Sequence, residues 1–319
     1  MGTNRTVSIV IPVFNRLTFI DQAIASALAQ SQAPLEILAV DDGSTADVAG
    51  HLAKWQESVR YIRRDNGGQG AARNTALAQC RGEYVLFLDD DDCLNAGAVE
   101  KLLAAIEISG GAVWAAGGYD YVDVDGKTLG RSHLPGIQKG DLLAQMIRGN
   151  PVGAPLAVLL NVEAVREAGG FDEDRRLQTA EDHDLWISLA RRHPPACTRE
   201  IVARYRKHPQ NATGNLTGHL AARLAMLAKQ RGLSTSAYAP HFDAAEAILH
   251  REYGDVCYLA GRQGEARSHW RLAADGGGLN FGDRMLRVAK SYLPTGARGM
   301  MRRGTQAVRS GGEAKLAVL

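Results

Sequence analysis

The stretch Tyr84–Leu94, YVLFLDDDDCL, constrains the fold more than any other part of the chain. Five apolar or aromatic residues run without a break, and four aspartates, Asp89 to Asp92, follow them directly. A short continuous apolar run is typical of a strand that is buried on both faces of a parallel sheet. Because neighbouring carboxylates raise one another's pKa, four of them at a strand end require a counter-charge. A divalent cation with oxygen ligands would supply it, and an acidic surface loop is the alternative.

Other segments repeat this arrangement of strand and helix. The run Val7–Val13 predicts a first strand, and Glu36–Val40 predicts a second one that ends in Asp41 and Asp42. Segments with helical spacing lie between the strands, at about 20–28, 47–57 and 99–106. The alternation predicts an α/β fold, a mostly parallel sheet flanked by helices. Since ligands bind beyond the carboxyl ends of such strands, both acidic segments are expected at one rim of the sheet.

A glycine-rich segment, NGGQGAARN at 66–74, lies between two of these strands. Its glycines permit a tight turn and a close approach of the backbone to a ligand, and its small residues begin a helix. The N-terminus of a helix favours anions, so the segment is expected either to bind phosphate or a nucleotide, or to be a plain loop.

The second half of the chain differs from the first. Asp125-Gly126, between strand-like residues, predicts a hairpin within 113–129. A helix is expected from Glu181, with Asp182 in its first turn, where the helix dipole favours negative charge. On spacing alone, helix capping is the expected role of these acids. By the same standard His208, which precedes Pro209, is typical of a loop residue.

Charge and composition restrict the environment. The net charge of the 319 residues is +2, which gives no bulk attraction to nucleic acid. The four cysteines are scattered without a C-x-x-C pair, as expected for reduced residues in a cytosolic protein. We recognise no signal peptide at the N-terminus and no apolar window of eighteen residues, so a cytoplasmic location is expected.

The last hundred residues form a separate part of the sequence. From about Leu216 the chain is helical in character, and residues 254–275 predict a helical hairpin. From Arg284 onward there are eight Lys or Arg residues against one acid, Glu313. This basic tail is expected either to be a solvated end or to contact an anionic membrane surface. The predicted domains are therefore 1–215 and a helical extension with a basic tail, 216–319.

Seven motifs in order make the chain resemble family 2 of the inverting, nucleotide-sugar-dependent glycosyltransferases with a GT-A fold. The motifs cover roughly residues 6–215, and no motif of the family matches the last hundred residues. They are SIVIPVFN at 8–15, VDDGSTAD at 40–47, NGGQGAARN at 66–74, FLDDDD at 87–92, GGFDE at 169–173, EDHDLW at 181–186 and YRKHPQN at 205–211.

The resemblance implies a role for each matching residue. Six residues would bind the donor. Pro12 and Val13 would line the base pocket, and Asp42 would accept a hydrogen bond from the base, commonly uracil. Arg73 would lie near the base or phosphates, and Asp89 and Asp90 would hold the ribose or sugar. Asp91 would ligate the metal, His208 would assist the metal or the diphosphate, and Asp182 would be the general base. The family usually has a small residue where Asp90 stands, so which of these acids contact the metal stays open.

This chemistry suits the residue types. A nucleotide diphosphate leaves as an anion, which Mg²⁺ or Mn²⁺ stabilises as a Lewis acid. A carboxylate at a helix N-terminus is expected to keep a low pKa and to remain ionised, available as a base for the acceptor hydroxyl. One basic carboxylate without a nucleophilic partner fits single displacement with inversion. The resemblance thus implies a metal-dependent transferase that moves a hexosyl group, from a UDP-sugar, to a glycan or lipid-linked acceptor.

Three other functions are compatible with parts of this pattern. A phosphotransferase with an aspartyl nucleophile also has acids after a buried strand, but here that strand is the fourth, and Asp92-Cys93 follow the motif. A sugar-1-phosphate nucleotidyltransferase would have a glycine-rich loop after the first strand, where residues 12–16 contain no glycine. A non-catalytic scaffold that binds a nucleotide sugar is the main alternative, although it predicts loss of the base and Asp182 is present.

Overall fold

The computed structural model describes residues 5–211, 214–278, 282–283 and 287. The chain forms two compact units, which divide between Asn211 and Ala212. The described residues of the first unit contain one sheet with seven α-helices around its strands, and those of the second contain three α-helices. The basic tail that the sequence places after residue 284 lies outside the described residues, apart from Arg287.

The elements are numbered in chain order. The strands are β1 (Val7–Val13), β2 (Glu36–Asp42), β3 (Val59–Arg64), β4 (Tyr84–Phe87), β5 (Cys93–Leu94), β6 (Trp114–Val122), β7 (Thr128–His133), β8 (Val158–Asn161) and β9 (Ala196–Arg206). The helices of the first unit are α1 (Ile20–Leu28), α2 (Val48–Leu52), α3 (Gln69–Gln79), α4 (Ala98–Ile108), α5 (Leu142–Arg148), α6 (Val162–Glu167) and α7 (Glu181–Ala190). Those of the second unit are α8 (Leu216–Gly232), α9 (Ala239–Leu259) and α10 (Gln263–Asp275).

The sheet has the order β3-β2-β1-β4-β8-β6-β9-β5, and β7 pairs with the later residues of β6, beyond those that pair with β8. Its first four strands are parallel, as the alternating sequence pattern predicts. Beyond β4 the sheet is mixed, because β8 is antiparallel to both β4 and β6 while β6 and β9 are parallel. The predicted α/β class with a parallel core is confirmed, and so is the hairpin, which β6 and β7 form.

Strand β4 lies in the middle of the sheet and is buried along its whole length. Its neighbours are β1 and β8, and Val85, Leu86 and Phe87 have no exposed surface. The following residue, Leu88, is equally buried, and its N–H donates to the carbonyl of Val10 at 2.9 Å. Each such side chain contributes about 1.5–3 kcal/mol by leaving water. The chain therefore leaves the sheet only at Asp89, which holds the acids at the rim.

Helix lengths differ from the sequence pattern at one place. The helix expected at 47–57 is α-helical only as far as Leu52 and ends in a single 3-10 turn, Ala53–Trp55. In that turn Lys54 Nζ and Trp55 Nε1 donate to Asp21 of α1, at 2.7 and 2.8 Å. These long-range bonds favour the tighter turn over another turn of α-helix.

The second unit contains the predicted helical hairpin. Helices α9 and α10 pack around Cys257, Ala266, Trp270 and Ala273, all buried. Gly254 allows the indole to approach, since a Cβ there would lie 2.4 Å from Trp270 Cδ1. No helix in the described part of the chain is both long enough and apolar enough to cross a bilayer.

Candidate active site

The acids after β4 form a tight turn at the rim of the sheet. Carboxylate oxygens of Asp89, Asp91 and Asp92 lie within 4.8 Å of one another. Asp90 is turned away toward Arg16, whose Nε donates to its Oδ1 at 2.9 Å. The same guanidinium lies 2.9 Å from Asp91 Oδ2. The turn thus presents three carboxylates together and pairs the fourth with a cation from the loop after β1.

Burial and the neighbouring charges act together on three of these acids. Burial raises the pKa of Asp90 to about 8, and the charge of Asp91 adds to the rise although Arg16 opposes it. Burial and then the charge of Asp89 raise the pKa of Asp91. The pKa of Asp92 is raised well above its usual value by burial and by Asp91 and Asp89. A hard divalent cation prefers carboxylate oxygens and would relieve this repulsion, so the donor set fits Mg²⁺ or Mn²⁺.

The end of β9 completes the acidic turn. His208 Nε2 lies 2.8 Å from Asp91 Oδ2, so the structure brings the two residues together as the predicted metal site requires. Arg206 donates its backbone N–H to Asp92 Oδ1 at 2.7 Å and its Nε to the carbonyl of Asp91 at 2.9 Å. The sequence patterns predict no role for Arg206 or Arg16. Arg206 nevertheless lies within the family motif at 205–211, and Arg16 directly follows the motif at 8–15.

Pro12 and Val13 end β1 and Asp42 ends the neighbouring parallel strand β2, so all three lie at the same rim. The Asp42 carboxylate accepts hydrogen bonds from the backbone N–H groups of Gly67 and Gly68, at 2.9 and 2.7 Å. Arg64 Nη1 and Asn66 Nδ2 donate to it as well, at 2.5 and 3.1 Å. Asp42 therefore holds the glycine-rich turn in place. Its contact with a nucleotide base stays a prediction.

Arg73 connects the acidic turn to the helix of the expected base. Its side chain is 2% exposed, and its two terminal nitrogens donate to Asp89 at 2.9 Å and to Glu181 at 2.6 Å. The guanidinium also lies 5.3 Å from the ring centroid of Phe171. The predicted contact of Arg73 with base or phosphates is not visible in these bonds, and it too stays a prediction.

Asp182 lies in the first turn of α7, but it does not cap the helix in the expected way. Glu181 Oε2 accepts the backbone N–H of Thr179 at 2.6 Å, while Asp182 Oδ1 accepts that of His183 at 2.7 Å. The expectation of a low pKa is wrong. Desolvation and the charge of Glu181 raise the pKa of Asp182 to about 7, and together they outweigh Arg73 and the hydrogen bond from the backbone of His183.

The fold and this rim define a class of protein: an α/β domain that carries an acidic turn fit for a divalent metal, beside a carboxylate at the start of a helix. The family model "Glycosyl transferase family 2" matches residues 8–167, half of the chain. The chain belongs to this family. The matched segment includes the acidic turn and ends before Asp182 and His208, whose roles therefore depend on the geometry described above.

Relatives of known sequence are named glycosyltransferases, in agreement with the family model. An uncharacterized glycosyltransferase of Rickettsia felis is 31% identical over 222 residues, which are 67% of this chain and 36% of that protein. The chain thus spans about a third of the length of the first relatives that it matches. A putative teichuronic acid biosynthesis glycosyltransferase of Bacillus subtilis, TuaG, is 30% identical over 207 residues, 63% of this chain and 78% of TuaG.

Solved structures confirm the GT-A fold. Staphylococcus aureus TarS (residues 1–349) in complex with UDP-GlcNAc matches with a TM-score of 0.55 and 16% identity, over 85% of this chain and 89% of TarS. The mannosyltransferase PcManGT of Pyrobaculum calidifontis, in complex with GDP-Man and Mn²⁺, matches with a TM-score of 0.58 and 16% identity, over 95% of this chain and 80% of that one.

Proposed function

We propose that the chain is a metal-dependent inverting glycosyltransferase, with 1–215 as its catalytic domain and Asp182 as its general base. The observation that carries the proposal is the position of Arg73, which bonds Asp89 of the acidic turn and Glu181 beside Asp182. One buried cation thereby holds the donor-side acids and the base helix in one site. A carboxyl whose pKa is about 7 is well suited to accept a proton near neutral pH.

The chain's residues divide the reaction between them. Asp182 removes the proton of the acceptor hydroxyl as that oxygen forms a bond to the anomeric carbon. The bond from this carbon to the diphosphate oxygen breaks on the opposite face, so the configuration inverts and the diphosphate leaves with the electron pair. Asp91 would hold the metal with Asp89 or Asp92, and His208 would orient Asp91. Bound metal would stabilise the charge of the leaving group.

The donor is proposed to be a nucleotide-diphosphate sugar, with UDP as the first choice. The TarS neighbour was solved with UDP-GlcNAc and the PcManGT neighbour with GDP-Man and Mn²⁺, which supports the donor class and leaves the base to experiment. Pro12, Val13 and Asp42 would contact the base, Arg73 would organise the phosphate side, and Asp89 and Asp90 would face the ribose or sugar. The acceptor is proposed to be a glycan or lipid-linked saccharide in polysaccharide assembly. In support, the name of the relative TuaG places that protein in teichuronic acid biosynthesis.

Calorimetric titration of UDP-GlcNAc and GDP-mannose, with and without Mn²⁺, tests the donor site. Wild type is expected to bind one of them at least about tenfold more tightly with Mn²⁺, and Asp91→Ala should abolish this gain. Glu107→Ala, which removes an exposed acid of α4, is the matched control and should leave binding unchanged. Binding of neither nucleotide sugar would contradict the proposal, and metal-dependent binding without turnover would favour the scaffold.

The proposed location is cytoplasmic, with residues 284–319 as a peripheral contact to an anionic membrane. The proposal depends on the charge of that segment, eight basic residues against one acid. Full-length chain is expected to co-sediment with anionic liposomes at low salt, and a chain ending at 283 is expected to stay in the supernatant. Equal sedimentation of the two chains would contradict the membrane contact.

A further inference from the structure

One face of the sheet combines tyrosine rings with cations, and none of the roles proposed above uses it. We name it the tyrosine face: Tyr121 of β6, Arg131 of β7, Tyr205 of β9 and Lys207 just after β9. Tyr121 pairs with Tyr205 across the two strands, and their ring centroids are 5.6 Å apart. The Arg131 guanidinium lies 4.8 Å from the centroid of Tyr121. Lys207 Nζ lies 5.2 and 4.7 Å from the centroids of Tyr121 and Tyr205.

The charge of Lys207 is not balanced by a nearby carboxylate among the described residues. Within the described part of the chain, no carboxylate comes within ion-pair distance of Lys207 Nζ, whose contacts are the two rings. An anionic ligand would supply the partner that Lys207 lacks among these residues. Arg131 is exposed, and the other three residues are partly exposed, so a ligand can reach them.

The tyrosine face is connected to both halves of the proposed active site. At one end, Lys207 is followed in the chain by His208, which contacts Asp91 of the acidic turn. At the other end, Tyr121 contacts Tyr119, with ring centroids 5.5 Å apart.

Tyr119 leads on to the helix that carries Asp182. Tyr119 packs against Gly153, where a Cβ would lie 2.9 Å from its Cε1. The carbonyl of Gly153 accepts Trp186 Nε1 of α7 at 3.1 Å. The backbone at Gly153 has a φ of +96°, so its conformation and the lack of space both require glycine. The contacts thus run without a gap from the tyrosine face to the helix that begins with Glu181 and Asp182.

We propose that the tyrosine face is the acceptor subsite and that it binds a saccharide bearing an anionic group, a phosphate or a carboxylate. The inference rests on the proposed function and adds the chemical class of the acceptor. The tyrosine rings offer flat surfaces for the C–H face of a sugar ring, and their hydroxyls offer hydrogen bonds. Lys207 and Arg131 provide the charge-assisted hydrogen bonds that bind a phosphate or a carboxylate.

The test compares three matched sugars in the presence of saturating UDP and Mn²⁺, which fill the donor site. The probes are methyl β-glucoside, methyl β-glucuronide and glucose 6-phosphate, titrated into full-length chain and followed by NMR. One of the charged sugars is expected to bind about tenfold more tightly than the neutral one, and its identity separates carboxylate from phosphate. Lys207→Met should remove this preference, Lys207→Arg should retain it, and Tyr121→Ala should weaken all binding.

Lys127→Met is the matched control, because Lys127 is an exposed lysine of the same hairpin outside the tyrosine face. It should leave the preference intact, and all variants should bind UDP as wild type does. Equal binding of neutral and charged sugars, or a preference that survives Lys207→Met, would overturn the inference while UDP binding still supported the donor site. Absence of UDP binding in wild type would overturn the proposed function, and this inference with it.

Discussion

Asp182→Asn is expected to lower the rate of sugar transfer by about 10²–10⁴-fold while donor binding stays unchanged. Asparagine has nearly the same shape but cannot accept the proton of the acceptor hydroxyl. The measurement is steady-state transfer to the acceptor, together with calorimetric binding of the nucleotide sugar. Asp47→Asn is the control, because Asp47 is an exposed helix cap and asparagine caps a helix equally well. Wild-type turnover in Asp182→Asn would contradict the role of general base.

The raised pKa of Asp182 predicts two further effects, one on the pH dependence of wild-type activity and one on the stability of Asp182→Asn. The base must be ionised, so kcat/KM of the wild type should fall about tenfold per pH unit below a pKa of about 7.

The stability of the fold should depend on the same proton. Because the folded state holds it more tightly than the unfolded state does, the free energy of unfolding is higher while Asp182 is protonated and falls as pH rises from about 4 to 7. At pH 8, Asp182→Asn should therefore be as stable as wild type or more stable, by about 1–2 kcal/mol. Lower stability at pH 8 would contradict this account.

Arg73→Met is expected to lower the free energy of unfolding of the first unit by about 3–5 kcal/mol. The substitution removes the cation between Asp89 and Glu181, and Glu181 is itself only 3% exposed, so a buried carboxylate would lose its partner. Guanidinium unfolding followed by fluorescence measures the loss. Arg176→Met, which breaks an ion pair on a side chain that is 81% exposed, is the matched control and should change stability little.

A double variant separates this electrostatic cause from a general loss of packing. Adding Glu181→Gln to Arg73→Met makes the unpaired group neutral, so part of the lost stability should return. If Arg73→Met cost no more than Arg176→Met, or if Glu181→Gln deepened the loss, the bridge would not be what holds the acidic turn and α7 together.

Several features of the site could be predicted from the sequence because short patterns determine them. The apolar run before Asp89 predicts a buried strand, and the neighbouring acids predict raised pKa values. Burial first, and then the neighbouring charges, raise the pKa of Asp90, Asp91 and Asp92. The alternation of strand and helix predicts the parallel core. Parallel neighbours then bring Asp42 and the acidic turn to the same rim, since β2 and β4 both flank β1.

Features that depend on distant parts of the chain could not be predicted in this way. The sequence favoured a low pKa for Asp182 because it shows a helix N-terminus and cannot show how far the carboxyl is desolvated. Arg16 meets Asp90 across 74 residues, and Arg73 meets Glu181 across 108. No local pattern carries these pairings.

The sequence by itself therefore determined the α/β class, the acidic rim and the family, because each follows from local periodicity or from motifs in order. Only the tertiary structure decided which acids share a site, which cation holds each of them, and that Tyr121, Tyr205 and Lys207 form one face. The physical reason is that burial, pKa and side-chain contact are set by neighbours in space. In the mixed half of this sheet, those neighbours come from β6, β7 and β9, which the chain brings together over more than eighty residues.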